Sequence, residues 1–417
     1  MSQRPVPPRG MRDLLPTDVR LRMALLTTLQ RVYESYGFDQ IETPALEEID
    51  RLLDSEAGDN EKLIYKVMRR GLDLTGAHKT ESELVDLGLR YDLTVPLARF
   101  YATHSALLPK PFRAIQTGPV WRAERPQKGR YRQFVQCDID VIGDAGTDAE
   151  VDLVCATAEA LRAVEVGEFT VRVNDRRLLQ ALVKSAGFSF EDTPAVLVII
   201  DKLDKIGFES VEAELSQISA EPASALIKQL AAVVGSLTAD EVAETLGNAA
   251  PSTAIADLRS ICAGVVAVLP WVNIRVDATL VRGQGYYTGS IFEVEHDDLS
   301  GSLAGGGRYD KMIAKLSGVD VAAVGFSIGF ERLFDIVSQR AATPNGQARV
   351  VLLYSDETDY ISVATAAQGL RNANFSVRPE QSAKNRTSQL TRLERAGFTH
   401  WTELRNGSLN EPQQFAQ

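Results

Sequence analysis

Residues 120–140 read VWRAERPQKGRYRQFVQCDID, and the second half of that stretch decides how the chain is built. From Gln133 onward polar and apolar side chains alternate. Successive side chains of a strand point to opposite faces. Gln136, Asp138 and Asp140 therefore fall on one face, and Val135, Cys137 and Ile139 on the other. The polar file is either an exposed sheet face or the lining of a site. Just upstream, between Arg122 and Arg132, five cationic side chains stand with one acid. Pro-Gln-Lys-Gly at 126–129 is a turn that can bend over a ligand. Arginine's planar fork suits phosphate, whereas a bare charge run is usually a solvated face. Both readings stay open at this point.

Working outward, strand signals recur at 38–44, 169–174, 273–277, 287–295 and 321–328, with Gly-rich turns in the last group. Apolar residues at helical spacing mark 17–36 and 151–164 as helices. Gly37 ends the first, and Pro44 stops the strand that follows. The fold class is α/β, of the α+β type: a large antiparallel sheet with helices on it, rather than a βαβ array. Between 185 and 268 Ala, Ser, Leu and Glu dominate, which reads as a mainly helical insert. Residues 341–347 form a linker by their Pro, Asn and Gly content. Beyond it a strand (350–354), a helix (360–372), a strand (375–378) and a helix (386–396) make a small α/β unit. The expected division is 1–184, 185–268, 269–340 and 348–417.

Composition narrows the function. The 417 residues carry 45 Lys or Arg and 56 Asp or Glu, a formal charge of −11. Blanket coating of nucleic acid by a basic surface is excluded, but a local basic patch is not. No stretch reaches the ~18 apolar residues of a membrane span. The first ten residues lack the apolar core of a secretory signal, so no export is expected. Three dispersed cysteines and four histidines argue against a disulfide framework or structural zinc. A cytoplasmic protein in a reducing compartment is expected.

Three further segments carry candidate chemistry. In LVRGQGYYTG (280–289), Gly283 and Gly285 permit tight backbone geometry, and Arg282 sits beside Tyr286 and Tyr287. In AGGGRYD (304–310), three successive glycines set backbone against either a ligand or a neighbouring strand. In VGFSIGFER (324–332), a strand runs through Gly329 into a helix bearing Arg332. Strand-to-helix turns of this sort often bind phosphate, but the spacing is that of neither a P-loop nor a Rossmann fingerprint.

Taken together, these segments resemble the class II aminoacyl-tRNA synthetase signature and, in detail, the histidyl-tRNA synthetase family. The likeness includes RGMRDLLP (9–16), Thr43-Pro44 as motif 1, LRYDLTVP (89–96), the arginine-rich loop as motif 2, and 325–332 as motif 3. It implies a catalytic domain in two parts (1–184 and 269–340) around a six- or seven-stranded antiparallel sheet. A helical insertion (185–268) would embrace the tRNA acceptor arm, and a C-terminal domain (348–417) would bind the anticodon. The implied enzyme is an ATP-dependent histidine–tRNA ligase, a homodimer. It would form histidyl-adenylate from histidine and ATP, with Mg²⁺, and pass histidine to the 3′ end of tRNA(His). By the resemblance, Arg122 and Arg282 are catalytic, and Arg122, Glu124, Arg130 and Arg332 bind ATP. Asp92, Thr94, Gln136, Asp140, Arg282, Tyr286, Tyr287 and Tyr309 bind histidine. No side chain is assigned as a direct metal ligand.

The pattern departs from the family in places. Asp92 and Asp140 stand where many bacterial members carry Glu, although other branches use Asp. Gly285 replaces the usual Asp, and the C-terminal unit is short and divergent past Thr387. An alternative within the same fold is the regulatory subunit of ATP phosphoribosyltransferase, a synthetase-like protein of histidine biosynthesis without aminoacylation activity. That subunit lacks an anticodon-binding domain and tends to lose the catalytic arginines, whereas Arg122, Arg282 and Arg332 are present here.

Overall fold

The computed structural model describes residues 5–53, 60–72, 80–125, 130–282, 286–299, 301–340 and 347–415. The expected turn at 126–129, Gly283 and Gly285, and the linker residues 341–346 lie outside the described residues. Two compact units emerge: Met1–Arg12 with Leu26–Val337, and Asp13–Leu25 with Ser338–Gln417.

The helix Pro16–Ser35 begins on a proline, whose missing N–H costs nothing in a first turn. It gives way to Gly37, at φ +77°. In the first unit, β1 (Asp39–Gln40) leads to a small antiparallel sheet of β2 (Leu46–Glu48), β3 (Tyr65–Met68) and β4 (Val85–Leu89), in the order β2-β4-β3. The helix Thr94–His104 follows. Then come β5 (Phe112–Trp121), β6 (Gln133–Ile142), the helix Asp148–Ala163 and β7 (Thr170–Asp175). Six helices run from Arg176 to Val268. Four strands complete the large sheet: β8 (Asn273–Val276), β9 (Ser290–Glu295), β10 (Ala304–Arg308) and β11 (Ala323–Gly329).

The large sheet has the order β1-β5-β6-β11-β10-β9-β7-β8. Its inner pairings, from β5 through β7, are antiparallel, and the edge pairs β1–β5 and β7–β8 are parallel. The count exceeds the six or seven strands expected because short β1 and β8 extend the edges. The strand expected over 38–44 contracts to two residues for a definite reason. Buried Arg90 takes the carbonyls of Thr43 (2.7 Å) and Pro44 (3.3 Å), groups that a continuing strand would pair. The sheet β2-β4-β3 and the helix Thr94–His104 had no counterpart in the sequence reading.

The glycine run 305–307 is a strand between two strands. A Cβ on Gly306 would lie 2.0 Å from the carbonyl oxygen of Gly325, and one on Gly305 would lie 2.3 Å from the Arg282 guanidinium. The neighbouring-strand reading of the run is realised at Gly306, and Gly305 leaves room for the Arg282 side chain. Helix Ser252–Val268 packs on helix Asp148–Ala163. The helices between 176 and 233 bury Leu182, Leu197, Val211, Leu215, Leu226 and Leu230. That cluster runs on without a break into Leu280, Tyr286 and Tyr287.

The second unit carries a parallel trio in the order β13-β12-β14, made by β12 (Arg349–Tyr354), β13 (Ser376–Gln381) and β14 (His400–Arg405). β15 (Ser408–Leu409) and β16 (Gln413–Gln414) pair antiparallel to β14. Its helices, Tyr360–Asn372 and Arg386–Arg395, start on the side-chain caps Asp359 and Asn385.

Two glycines predict opposite outcomes. Gly306→Ala is expected to destabilise the protein by about 1–3 kcal/mol or more, since only backbone can yield there. Gly369→Ala, in an exposed helix interior with open space around it, is expected to stabilise its unit by about 0.5–1 kcal/mol. Denaturant unfolding of both variants checks the pair, and a neutral Gly306→Ala would contradict the strand packing described.

Candidate active site

One cavity of about 250 Å³ opens on the inner face of the large sheet. All twelve side chains expected from the sequence line it: Asp92, Thr94, Arg122, Glu124, Arg130, Gln136, Asp140, Arg282, Tyr286, Tyr287, Tyr309 and Arg332. Segments more than 180 residues apart in sequence meet because β6 pairs with β11, which pairs in turn with β10.

The acidic end is built by β6 and by the start of helix Thr94–His104. Asp92 lies just ahead of that helix, where Oδ1 accepts from Val95 N at 3.1 Å, and its other oxygen is buried with no partner. A carboxylate suits a helix N-terminus, but burial dominates and raises its pKa to about 6. Gln136 donates to Ser327 Oγ at 3.0 Å and leaves Oε1 without a partner. Asp140 Oδ1 accepts from the Tyr309 hydroxyl at 2.6 Å, and Oδ2 is left alone. Burial, with nearby Asp92 adding to it, raises the Asp140 pKa to about 7 against the hydrogen bond from Tyr309. Gly325 makes this possible, since a Cβ there would lie 1.9 Å from Asp140 Oδ1. Tyr286 packs against Tyr287 (centroids 4.7 Å apart) and edge-on to Tyr309 at 6.1 Å. Burial raises the pKa of all three and keeps their hydroxyls neutral.

The basic end is formed by arginines from three segments. Arg122 leaves β5 with Nε donating to Tyr91 O at 3.0 Å and its guanidinium 5.1 Å from the Phe134 ring centroid. Arg282 lies over Gly305 and donates to Glu293 Oε2 at 3.0 Å. Arg332 stands in the first turn of helix Phe330–Arg340 and donates to Ser302 O. A cation there opposes the helix dipole. Its pKa is lowered by burial first, then by Arg130 and Arg282. Cations crowded at one end of a cavity make a focused positive field that favours an anionic ligand. Glu124 faces Arg130 at 3.7 Å.

Sequence reasoning left Asp138, Ser327 and Glu293 without roles. Asp138 stands on the polar file of β6 and lines the cavity, opposite Ser327 in the pairing of β6 with β11. Burial, then Asp140, push its pKa well above the usual carboxylate range. Glu293 was legible as the acid of β9 set between apolar Phe292 and Val294, ahead of the exposed Glu295 at the strand's end. Among the described residues no group of three or more His, Cys, Asp or Glu is placed to hold a metal ion. No helix among them is long and apolar enough to cross a membrane.

Against known proteins, the family model "Histidyl-tRNA synthetase" matches residues 10–333. The chain belongs to the histidyl-tRNA synthetase family. It is 46% identical over 404 residues to a histidine–tRNA ligase of Leifsonia xyli, covering 94% of this chain and 93% of that one. It is 36% identical to a histidine–tRNA ligase of Aeropyrum pernix, covering 95% and 89%. The crystal structure of histidyl-tRNA synthetase from Nostoc superposes with a TM-score of 0.76 at 29% identity, covering 97% and 92%. A Bacillus halodurans structure described as an ATP phosphoribosyltransferase regulatory subunit/histidyl-tRNA synthetase reaches 0.75 at 20% identity, covering 97% of each chain, and speaks to the fold alone. The chain is thus an ATP-dependent aminoacyl-tRNA ligase, and the histidine–tRNA ligase reading of the sequence holds.

The buried acids predict a pH dependence of stability. Asp140 holds its proton to about pH 7 when folded and releases it near 3.8 when unfolded. The stability it contributes is therefore fully present below the unfolded value and lost as pH rises through about 7. Asp140→Asn should raise the thermal midpoint of the ligand-free protein at pH 8, with the gain shrinking towards pH 5. A gain that does not change with pH would assign the titration elsewhere.

Proposed function

We propose that the two ends of this cavity divide the substrates of the adenylation step, the acidic end taking histidine and the basic end ATP. One observation carries the reading. Asp92 Oδ2, Gln136 Oε1 and Asp140 Oδ2 are buried acceptors without partners, and they share a cavity with Arg122, Arg130, Arg282 and Arg332. A buried polar atom without a partner is costly, and a ligand that supplies donors removes the cost. The histidine ammonium goes to Asp92, Thr94 and Gln136. Its imidazole goes to Asp140 and Tyr287, with Tyr286 and Tyr309 closing the pocket.

In the reaction a histidine carboxylate oxygen attacks the α-phosphorus of ATP and pyrophosphate leaves. Negative charge grows on the α-phosphate oxygens as the new bond forms, and cations fixed there lower the barrier. Arg122 and Arg282 act on that charge from opposite sides, and Arg282 also meets the histidine carboxylate. Arg332 stacks on adenine, a cation over a π face, while Glu124 and Arg130 contact the nucleotide. In the second step the 3′-terminal ribose hydroxyl of tRNA(His) takes the histidyl group, and AMP leaves. Mg²⁺ would accompany ATP and supply charge neutralisation at the phosphates, since a small hard cation keeps several waters and needs few protein ligands.

Residues 185–268 embrace the acceptor arm, 348–417 read the anticodon, and the segment around Thr43-Pro44 joins two copies as a homodimer in the cytoplasm. The regulatory-subunit alternative is disfavoured by the arginines gathered at the basic end. Histidine-dependent exchange of pyrophosphate into ATP tests the first step, and charging of total tRNA with each amino acid tests the second.

Two substitutions test the roles. Arg282→Ala is expected to cost about 3–4 kcal/mol of transition-state stabilisation, a hundredfold or more in pyrophosphate exchange. Near-normal exchange would take Arg282 out of the mechanism. Asp140→Ala is expected to raise KM for histidine far more than KM for ATP. Equal changes in both would make Asp140 a structural residue.

A further inference from the structure

Behind Arg282 lies a row of charged side chains that the adenylation step does not use. Glu293 on β9 accepts from Arg282 Nη1 at 3.0 Å through Oε2, while its Oε1 lies 3.4 Å from Arg172 Nη1. Arg172 stands directly opposite Glu293 in the pairing of β7 with β9. It is buried, with Nε on Asp277 Oδ2 at 2.8 Å and Nη1 also on Asp204 Oδ2 at 3.1 Å. Asp277 in turn accepts from Thr279 N and Thr279 Oγ1, in the turn that leads to Arg282. Asp204 comes from a different part of the fold, the helix Leu203–Ser216 of the helical stretch.

Nη1 of Arg172 is therefore shared between an acid of the sheet and an acid of the helical stretch. If Asp204 withdraws, that nitrogen turns wholly to Glu293 and draws it from Arg282. Asp204 sits in the short turn ahead of Gly207, whose φ of +75° and ψ of 168° break the helix Leu203–Ser216, and its neighbour Leu203 is buried in the cluster of the helical stretch, so a shift of that cluster moves Asp204. The apolar contacts run the same way, because Leu197 and Leu226 share one buried cluster with Leu280 and Tyr286.

We propose that Arg172 is a positioning residue for Arg282, and that Asp204 couples the adenylation step to the placement of the helical stretch. This rests on the reading of Arg282 as a cation at the reacting phosphate. The coupling element is a short physical chain, from Asp204 through Arg172 and Glu293 to Arg282, and substitutions along such chains change function by modest factors.

The Asp204 side chain is largely exposed, so replacing it leaves the packing intact. Asp240 is a matched control, equally exposed in the same helical stretch and paired with Arg259. Kinetics of histidine-dependent pyrophosphate exchange in the full chain distinguish the outcomes. Asp204→Asn should lower kcat about threefold to tenfold, with KM for histidine and ATP and the thermal midpoint unchanged. Asp204→Glu should recover most of the rate, and Asp240→Asn should match the wild type. Wild-type kcat in Asp204→Asn, with Arg282→Ala inactive, would overturn the coupling and leave the reading of Arg282 standing. A silent Arg282→Ala would overturn that reading first, and the coupling with it. Equal losses in Asp204→Asn and Asp240→Asn, or a rise in KM at constant kcat, would also overturn it.

Discussion

The register of β6 against β11 is the constraint on which the site depends. It sets Asp140 opposite Gly325, Asp138 opposite Ser327 and Gln136 opposite Gly329. Each polar side chain of β6 thus faces a position with little or no side chain of its own. A shift of one residue would turn the whole file to the other face of the sheet and set Asp140 against a neighbour with no room for its carboxylate. The same register brings the helix that bears Arg332 to the mouth of the cavity, because β11 runs straight into it.

The site opposes two kinds of electrostatic cost. Asp92, Asp138 and Asp140 are pushed towards their neutral forms chiefly by burial. The cations at the other end are crowded, and Arg332 is pushed towards deprotonation by burial and by its fellow arginines. The arginines are offset only in part, by Glu293 on Arg282 and Glu124 near Arg130, and not by the buried acids of β6. Ordinary folding would favour pairing them, since breaking or withholding a buried ion pair is costly. On the proposed reading the histidine ammonium would relieve one cost and the phosphates of ATP the other. Where the protein does pair its charges fully, as with Arg308 on Glu150 at 2.6 Å, the pair holds helix Asp148–Ala163 to the strand carrying the glycine run. It lies outside the cavity lining.

Much of this was legible in the sequence, and the reasons differ by element. The alternation in 133–140 fixed the cavity-facing file because a strand has only two faces. The helices 360–372 and 386–396 appeared nearly as read, since apolar spacing and the caps Asp359 and Asn385 are local signals. Non-local structure was hidden. The strand at 38–44 was cut short by Arg90, a residue 47 positions away from Thr43, and no window of sequence contains both. The strands β14 to β16 lie past the point where the resemblance fades, and the last two are held by single short pairings with β14. Glu293 was visible as an oddity in β9, but its partners Arg282 and Arg172 come from a turn and a strand 11 and 121 residues away.

The fold alone does not identify the activity. A structure described as both a regulatory subunit and a synthetase matches this chain almost as well in shape, with a TM-score of 0.75, as the Nostoc synthetase does at 0.76. Shape follows from the sheet register and the helices on it, which any descendant of the scaffold keeps in order to fold. Function resides in side chains whose removal the scaffold tolerates, because sites are grafted onto folds. Arg332 makes the point in physical terms. It opposes its helix dipole, is partly desolvated, and has Arg130 and Arg282 among the charges acting on it. Its bond to Ser302 O and the nearby Glu293 and Glu124 only partly offset that cost, and on the proposed reading the adenine ring offsets more of it.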